Sequence, residues 1–163
     1  MKTITFKEKE DKKNIQDVSG DKYDPQNQTK MLNKFYLELN FPESNDLKKS
    51  IHTKLQGYQQ QDKKHHIYGP NHFISKEDAI QKLVESKLNC FYCQCKLMLF
   101  YTKVKQDNQW TLDRINNSMG HNTNNVVISC LGCNLKRGNI PKDKFLFTKQ
   151  LIVSKDDSEL VYS

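Results

Sequence analysis

The spacing of apolar residues along the chain predicts helices in its first half. Apolar side chains recur at helical spacing over residues 30–41, and Pro42 would end that helix. The same spacing predicts a second helix over residues 45–58, followed by a polar linker at residues 59–64. A third helix is expected after Ser75, which suits an N-cap because acidic residues follow it in the first turn.

The second half of the chain has the pattern of two short strands followed by a short helix. Residues 110–115 are rich in β-branched and aromatic side chains, which favour a strand. The Asn-rich residues 116–125 predict a loop, and residues 126–128 predict a second strand. A helix over residues 134–137 would then end at Gly138, because glycine adopts the backbone conformation that closes a helix.

Less regular segments flank these elements. The apolar residues 97–101 predict another strand, and Pro141 would begin a short helix that continues to about Lys149. Residues 151–153 could add a last strand, and residues 154–163 form a polar tail. Residues 1–28 are polar and charged, so we expect an extended arm there. A basic arm that wraps DNA and a plain solvated tail are both compatible with this composition.

Four cysteines in two Cys-x-x-Cys pairs predict a zinc site. The pairs are Cys90-Phe-Tyr-Cys93 and Cys130-Leu-Gly-Cys133, with 36 residues between them. Zinc takes four thiolates tetrahedrally, and each short turn supplies two of them. Free thiols or two disulfides are the alternatives, although a Cys-x-x-Cys disulfide closes a strained loop and belongs mostly to redox motifs. Cys95 lies outside both pairs and is expected to be a partly buried spare thiol.

Two further motifs accompany the cysteines, namely Leu-Asp-Arg-Ile-Asn-Asn at residues 112–117 and Asn-Val-Val-Ile-Ser-Cys-Leu-Gly-Cys-Asn at residues 125–134. With them, residues 90 to about 139 resemble the HNH endonucleases, also called ββα-metal or His-Me finger endonucleases, in a four-cysteine zinc form found in large DNA viruses and phages. The resemblance covers under a third of the chain. It implies an α+β fold with a zinc-stabilised ββα-metal centre, N-terminal helices beside it, and metal-dependent hydrolysis of DNA phosphodiester bonds.

The resemblance implies separate roles for two metals. Zinc would stay on the soft thiolates. Asp113 on the first strand and Asn134 on the helix would hold a catalytic Mg²⁺ or Mn²⁺, because both offer hard oxygen ligands. Asn125 matches the middle asparagine of the family and would pin the loop backbone, which orients the general base.

The residue after Asp113 departs from the common pattern of the family. Most members have a histidine general base there, but this chain has Arg114, which stays protonated and cannot take a proton from water. Arg114 could instead bind a phosphate oxygen. His121, the only histidine inside the motif, is a candidate base, and a water deprotonated by metal and substrate phosphate is another. If there is no base, the chain is a catalytically inactive nucleic-acid-binding module, or a structural module of a larger assembly.

The charge of the chain points to a polyanionic partner. The formal net charge is +7, and residues 90–139 hold four Lys and two Arg against two acidic residues, so a net +4 falls on the motif. We therefore expect nucleic acid as the partner, specifically double-stranded DNA, with Arg114, Lys136 and Arg137 contacting phosphate. The sequence does not indicate an oligomeric state.

Length and composition predict one domain with a modest core, because the chain has 163 residues and a hydrophobic fraction of 36%. Its helical part is expected at residues 29–89, and its zinc-bound core with a C-terminal helix at residues 90–153. No apolar run approaches the roughly 18 residues of a membrane span. The N-terminus lacks an apolar signal segment, so we expect the protein in an intracellular, reducing compartment. A viral protein that acts in a host cell is one possibility for its origin.

Overall fold

The computed structural model describes residues 22–151, in which five helices surround a two-stranded antiparallel sheet. This is the α+β class that the sequence predicts. In chain order the elements are α1 (Pro25–Tyr36), α2 (Ser44–Lys64), α3 (Lys76–Glu85), β1 (Trp110–Arg114), β2 (Val126–Cys130), α4 (Leu131–Arg137) and α5 (Lys142–Gln150). A single 3-10 turn at Thr123–Asn125 leads into β2. Most of the predicted arm, the polar tail and residues 152–153 of the predicted last strand lie outside the described residues.

Helix α1 begins before its predicted start. Pro25 suits the first helical position, and the Asp24 side chain caps the helix by accepting a backbone N–H of the first turn at 2.9 Å. Gln28 is fully buried, and its side-chain oxygen accepts the backbone N–H of Leu99 at 2.6 Å. The last residues of the predicted arm are therefore helical, and Gln28 connects this helix by a hydrogen bond to the segment that follows the first cysteine pair.

Helix α2 continues through residues 59–64, for which the sequence pattern predicts a polar linker. The linker prediction was wrong because the stripe that faces the core does not stop at the polar residues. Its members recur three or four residues apart and are Leu47, Ile51, Leu55, Tyr58 and Asp62. Asp62 is 0% exposed, so an acidic residue occupies a core position of this helix. In this way α2 brings a carboxylate against the loop between β1 and β2.

The two strands pair with Trp110 opposite Cys130 and Asp113 opposite Val127. Side chains alternate along a strand, so Leu112 and Asp113 point to opposite faces of the sheet. β1 ends one residue earlier than predicted, and β2 runs two residues further, into the second cysteine pair. This alternation gives β1 two chemically different sides, one towards α2 and one towards α4.

The apolar segment at residues 97–101 enters the core without forming the predicted strand. Its only ladder contact among the described residues is an isolated bridge between Met98 and Gln109. The buried apolar side chains of the segment are Leu97, Met98, Leu99 and Phe100. Burial and separate backbone hydrogen bonds with Leu88, Asn108 and Trp110, rather than a continuous strand ladder, therefore hold this segment in place.

Two helix ends follow the predicted signals. The Ser75 hydroxyl accepts the backbone N–H of Asp78 at 3.0 Å, so it caps α3 as its sequence position indicates. Gly138 has a φ of +50° and ends α4. A positive φ is strained for other residues, so glycine is the residue that fits this turn.

Candidate active site and metal centre

The four paired cysteines converge on one point. The sulfur atoms of Cys90, Cys93, Cys130 and Cys133 all lie within 4.8 Å of one another. The Cys93 and Cys130 sulfurs are 3.8 Å apart. A tetrahedral ion with Zn–S bonds of about 2.3 Å requires sulfurs about 3.8 Å apart, so the cluster fits zinc. No disulfide joins these residues.

The surroundings of the cluster stabilise a thiolate on Cys90, whereas the hydrogen bond with Cys90 raises the pKa of Cys130 and burial raises that of Cys133. Backbone N–H groups point at two of the sulfurs, since the Cys130 N–H donates to Cys90 Sγ and the Cys133 N–H to Cys130 Sγ, both at 3.3 Å. The hydrogen bond with the Cys130 side chain lowers the pKa of Cys90 to about 4. Cys95 lies outside this group of four, and burial raises its pKa to about 12. Cys95 is partly buried, as expected from the sequence, and its role as a spare thiol stays a prediction.

On the side of β1 that faces α4, Asp113 forms a closed ion pair. Asp113 is 2% exposed, and its two carboxylate oxygens accept Arg137 Nε at 2.7 Å and Arg137 Nη2 at 2.8 Å. The Tyr92 hydroxyl donates to the same carboxylate at 2.5 Å. The other donors of the guanidinium reach the carbonyls of Arg114 and Ile140. The pair is therefore buried, and each nitrogen of the guanidinium donates to a protein acceptor.

This geometry corrects two predictions. Arg137 is buried against Asp113, so it is not positioned to contact a phosphate. The predicted Mg²⁺ or Mn²⁺ ligand Asp113 does not fit a divalent cation either, because a guanidinium already neutralises its carboxylate. Asn134, the other predicted ligand, donates its amide nitrogen to Thr111 Oγ1 at 3.1 Å. A cation at this point would have to displace Arg137.

On the side of β1 that faces α2, Asp62 and His121 form a second buried pair. The His121 Nδ1 and the Asp62 Oδ1 are 2.7 Å apart, and the His121 backbone N–H donates to Asp62 Oδ2 at 2.6 Å. The ring of Tyr58 stacks on the imidazole with 4.5 Å between centroids. Arg114 Nη1 lies 4.0 Å from Asp62 Oδ1. Gly120 permits this approach, since a Cβ there would come within 2.7 Å of Asp62 Oδ2.

The imidazole of His121 is held in its neutral form. Burial lowers its pKa below the ordinary value of 6.5, and the hydrogen bond with Asp62 opposes that shift only in part. Because a carboxylate accepts hydrogen bonds, the proton of the neutral ring lies on Nδ1. Nε2 has no hydrogen-bond partner among the described residues, so its lone pair remains available.

One cavity of about 240 Å³ adjoins the Asp113–Arg137 pair and the His121 member of the second pair. Its lining includes five of the residues predicted from the sequence, which are Asp113, Arg114, His121, Asn134 and Arg137. Asn125 lies behind the cavity, where its amide donates to the Gly120 carbonyl at 2.9 Å and accepts the Asn116 N–H at 2.9 Å. It thereby holds the loop backbone, which is the arrangement that the resemblance implies. Lys136 is exposed on α4.

Sequence reasoning missed Asp62, because the polar composition of residues 59–64 predicts a linker there. A usable signal was present, since Asp62 follows Tyr58 by four residues and Leu55 by seven. It therefore continues the apolar stripe of α2. An acidic residue on such a stripe is buried with a partner or it breaks the helix packing.

Comparison with known proteins gives one relative with a limited overlap. Over 74 residues the chain is 32% identical to an uncharacterised protein of Acanthamoeba polyphaga mimivirus. That stretch is 45% of this chain but 12% of the mimivirus protein, so the chain spans a small part of that relative's length. No protein-family profile and no solved structure matches the chain. The similarity agrees with the viral origin that the sequence suggested. None of the described helices is both long and apolar enough to cross a bilayer.

Proposed function

We propose that the chain is an HNH-type endonuclease that hydrolyses phosphodiester bonds in double-stranded DNA. The observation that carries the proposal is that His121, whose pKa is lowered by burial, lines the same cavity as the guanidinium of Arg114. A base that is neutral near pH 7 and a bidentate phosphate ligand are two of the groups that such a reaction needs. The resemblance to the HNH endonucleases and the net charge of +4 over residues 90–139 favour DNA as the substrate.

In the proposed reaction, His121 Nε2 accepts a proton from a water molecule. The water oxygen forms a bond to phosphorus, and the bond from phosphorus to the 3′-oxygen breaks. Arg114 binds a nonbridging oxygen and stabilises the negative charge that grows there. The leaving 3′-oxygen takes a proton from solvent, and the imidazolium later returns its own proton to solvent. Lys136, exposed on α4, contacts the DNA backbone.

A divalent cation has no step in this scheme, because Arg137 already occupies the Asp113 carboxylate in the described arrangement. The resemblance nevertheless implies Mg²⁺ or Mn²⁺ as a cofactor, beside the structural zinc. Cleavage should therefore be measured with each ion and with a chelator that is too weak to strip the cysteine cluster.

A second candidate is a catalytically inactive module that binds nucleic acid or belongs to a larger assembly. The closed pair of Asp113 and Arg137 favours it, because the resemblance assigns metal binding to Asp113 and that carboxylate is occupied. The zinc cluster would serve such a module equally well.

Nicking of supercoiled plasmid by the purified chain distinguishes the two functions. The endonuclease requires nicking that His121→Ala lowers by about 10²- to 10⁴-fold, the usual contribution of a general base. Arg114→Ala should lower the rate and weaken DNA binding while it leaves the pH dependence of the rate unchanged. Salt-sensitive DNA binding without cleavage under any of the ion conditions would establish the inactive module instead.

A further inference from the structure

We infer that Asp62 is the positioning residue of the active site, so that α2, which lies outside the ββα motif, is a working part of the catalytic centre. This inference rests on the proposed function, because it assigns Asp62 to the base of that reaction. It goes beyond the resemblance, which covers residues 90 to about 139 and therefore excludes α2.

The contacts of Asp62 are those of a group that fixes an imidazole. Its two oxygens hold His121 at two points, the ring Nδ1 and the backbone N–H, at 2.7 and 2.6 Å. Two points of attachment restrict both the ring and the loop that carries it. Asp62 is 0% exposed, so water does not compete for either oxygen.

Helix α2 also fixes the plane of the ring. Tyr58, one helical turn before Asp62, stacks on the imidazole at a centroid distance of 4.5 Å and an interplanar angle of 31°. The Tyr58 hydroxyl accepts the backbone N–H of Leu112 in β1 at 3.1 Å. This hydrogen bond fixes the position of the helix relative to the strand. Tyr58 and Asp62, on one face of α2, therefore set the position, the ring orientation and the tautomer of His121.

The tautomer decides whether His121 can act as a base. A proton held on Nδ1 by Asp62 leaves the lone pair on Nε2, whereas the opposite tautomer would bury the lone pair against α2. The charged and titratable groups that face His121 are Asp62 and Tyr58 from α2 and Arg114 and Asp113 from β1. Among these, Asp62 alone accepts a hydrogen bond from the ring.

The test compares Asp62→Asn with the parent chain, with Asp62→Glu as the conservative variant. Asp46→Asn is the matched control, because Asp46 lies on the same helix and is exposed. Asp62→Asn should lower kcat for plasmid nicking by between about tenfold and 10⁴-fold, the range over which such orienting groups act. KM should change little, because Asp62 does not face the DNA. The acidic limb of the pH–rate profile, where the rate rises as His121 loses its proton, should move to lower pH, since a carboxylate that favoured the imidazolium is gone. Asp62→Glu should restore part of the rate.

A second measurement does not depend on activity. Nitrogen-15 NMR of the His121 ring should show the Nδ1-protonated neutral tautomer in the parent chain and a mixture of tautomers in Asp62→Asn. If Asp62→Asn lowers only thermal stability, with the tautomer and the pH profile unchanged, the inference is overturned and Asp62 is structural. If the parent chain does not cleave DNA, the proposed function fails. The NMR result then still decides whether Asp62 sets the tautomer.

Discussion

Two buried acid–base pairs lie on opposite sides of β1, and they differ in how completely they are satisfied. Towards α4, Asp113 receives three hydrogen bonds, and each nitrogen of Arg137 donates to a protein acceptor. Towards α2, Asp62 receives two hydrogen bonds from His121, yet the ring keeps one nitrogen without a partner among the described residues. Arg114 connects the sides, because its carbonyl accepts from Arg137 and its guanidinium approaches Asp62.

The difference separates a structural pair from a reactive one. A buried charge that loses its partner costs several kcal/mol, so a closed pair such as Asp113 and Arg137 locks α4 against β1. A neutral imidazole with one free nitrogen can exchange a proton without breaking its anchoring hydrogen bond. Chemical type alone would not separate them, since each pair joins an aspartate to a basic side chain.

The largest expected effect comes from breaking the cysteine cluster, which should disrupt both buried pairs because the motif that carries them unfolds. Cys133→Ser should unfold the motif, because zinc binding supplies on the order of 10 kcal/mol in small zinc-dependent folds and Cys130 at the end of β2 transmits it to the sheet. Circular dichroism and zinc content measure this. Cys95→Ser is the control and should keep one zinc per chain. A folded Cys133→Ser protein, or a parent chain without zinc, would contradict the prediction.

The next largest effect should be a loss of folding stability when the Asp113–Arg137 pair, on the side of β1 towards α4, is broken. Asp113→Ala or Arg137→Ala should lower the free energy of unfolding by about 3–5 kcal/mol, because each leaves an uncompensated buried charge. Urea denaturation measures the change, with Lys136→Ala as the exposed control on the same helix. A loss of cleavage with unchanged stability would instead restore the metal-ligand role that the resemblance assigns to Asp113.

The sequence predicted the cysteine cluster better than either pair, for a physical reason. Each Cys-x-x-Cys turn places two sulfurs by local geometry, so only one long-range approach had to be assumed. The Asp62–His121 pair joins residues 59 positions apart, and it requires α2 to extend beyond its apolar residues. Strand alternation puts Asp113 and Arg114 on opposite faces of β1. It could not tell that Arg137 would take the carboxylate that the resemblance reserves for a cation.

The side towards α2 should also make stability depend on pH. The pKa of His121 in the folded chain lies below its ordinary value of 6.5, so at a pH between these two values the unfolded chain binds the extra proton. The free energy of unfolding should therefore fall as the pH drops below about 6.5, by at most about 1.4 kcal/mol per pH unit until the folded pKa is reached. His121→Gln should remove this component. The cysteine cluster also weakens in acid, so the measurement is the difference between parent and variant urea curves at about pH 7.5 and about pH 5.5. Equal pH dependence in both would show that the imidazole is not buried in its neutral form.

The smallest expected effect concerns Lys136, which is exposed on α4 next to Arg137 in sequence and belongs to neither pair. If it contacts one phosphate, Lys136→Gln should weaken DNA binding about equally for all sequences and reduce the slope of log affinity against log salt by about 1. Arg137, the adjacent residue, is buried and should make no such contribution to the slope, although the sequence predicts phosphate contact for both. Fluorescence anisotropy with a labelled duplex at several salt concentrations measures the slope. Lys30→Gln, an exposed change on α1, is the control and should leave it unchanged. Equal slopes for the parent and Lys136→Gln would show that Lys136 does not contact the DNA backbone.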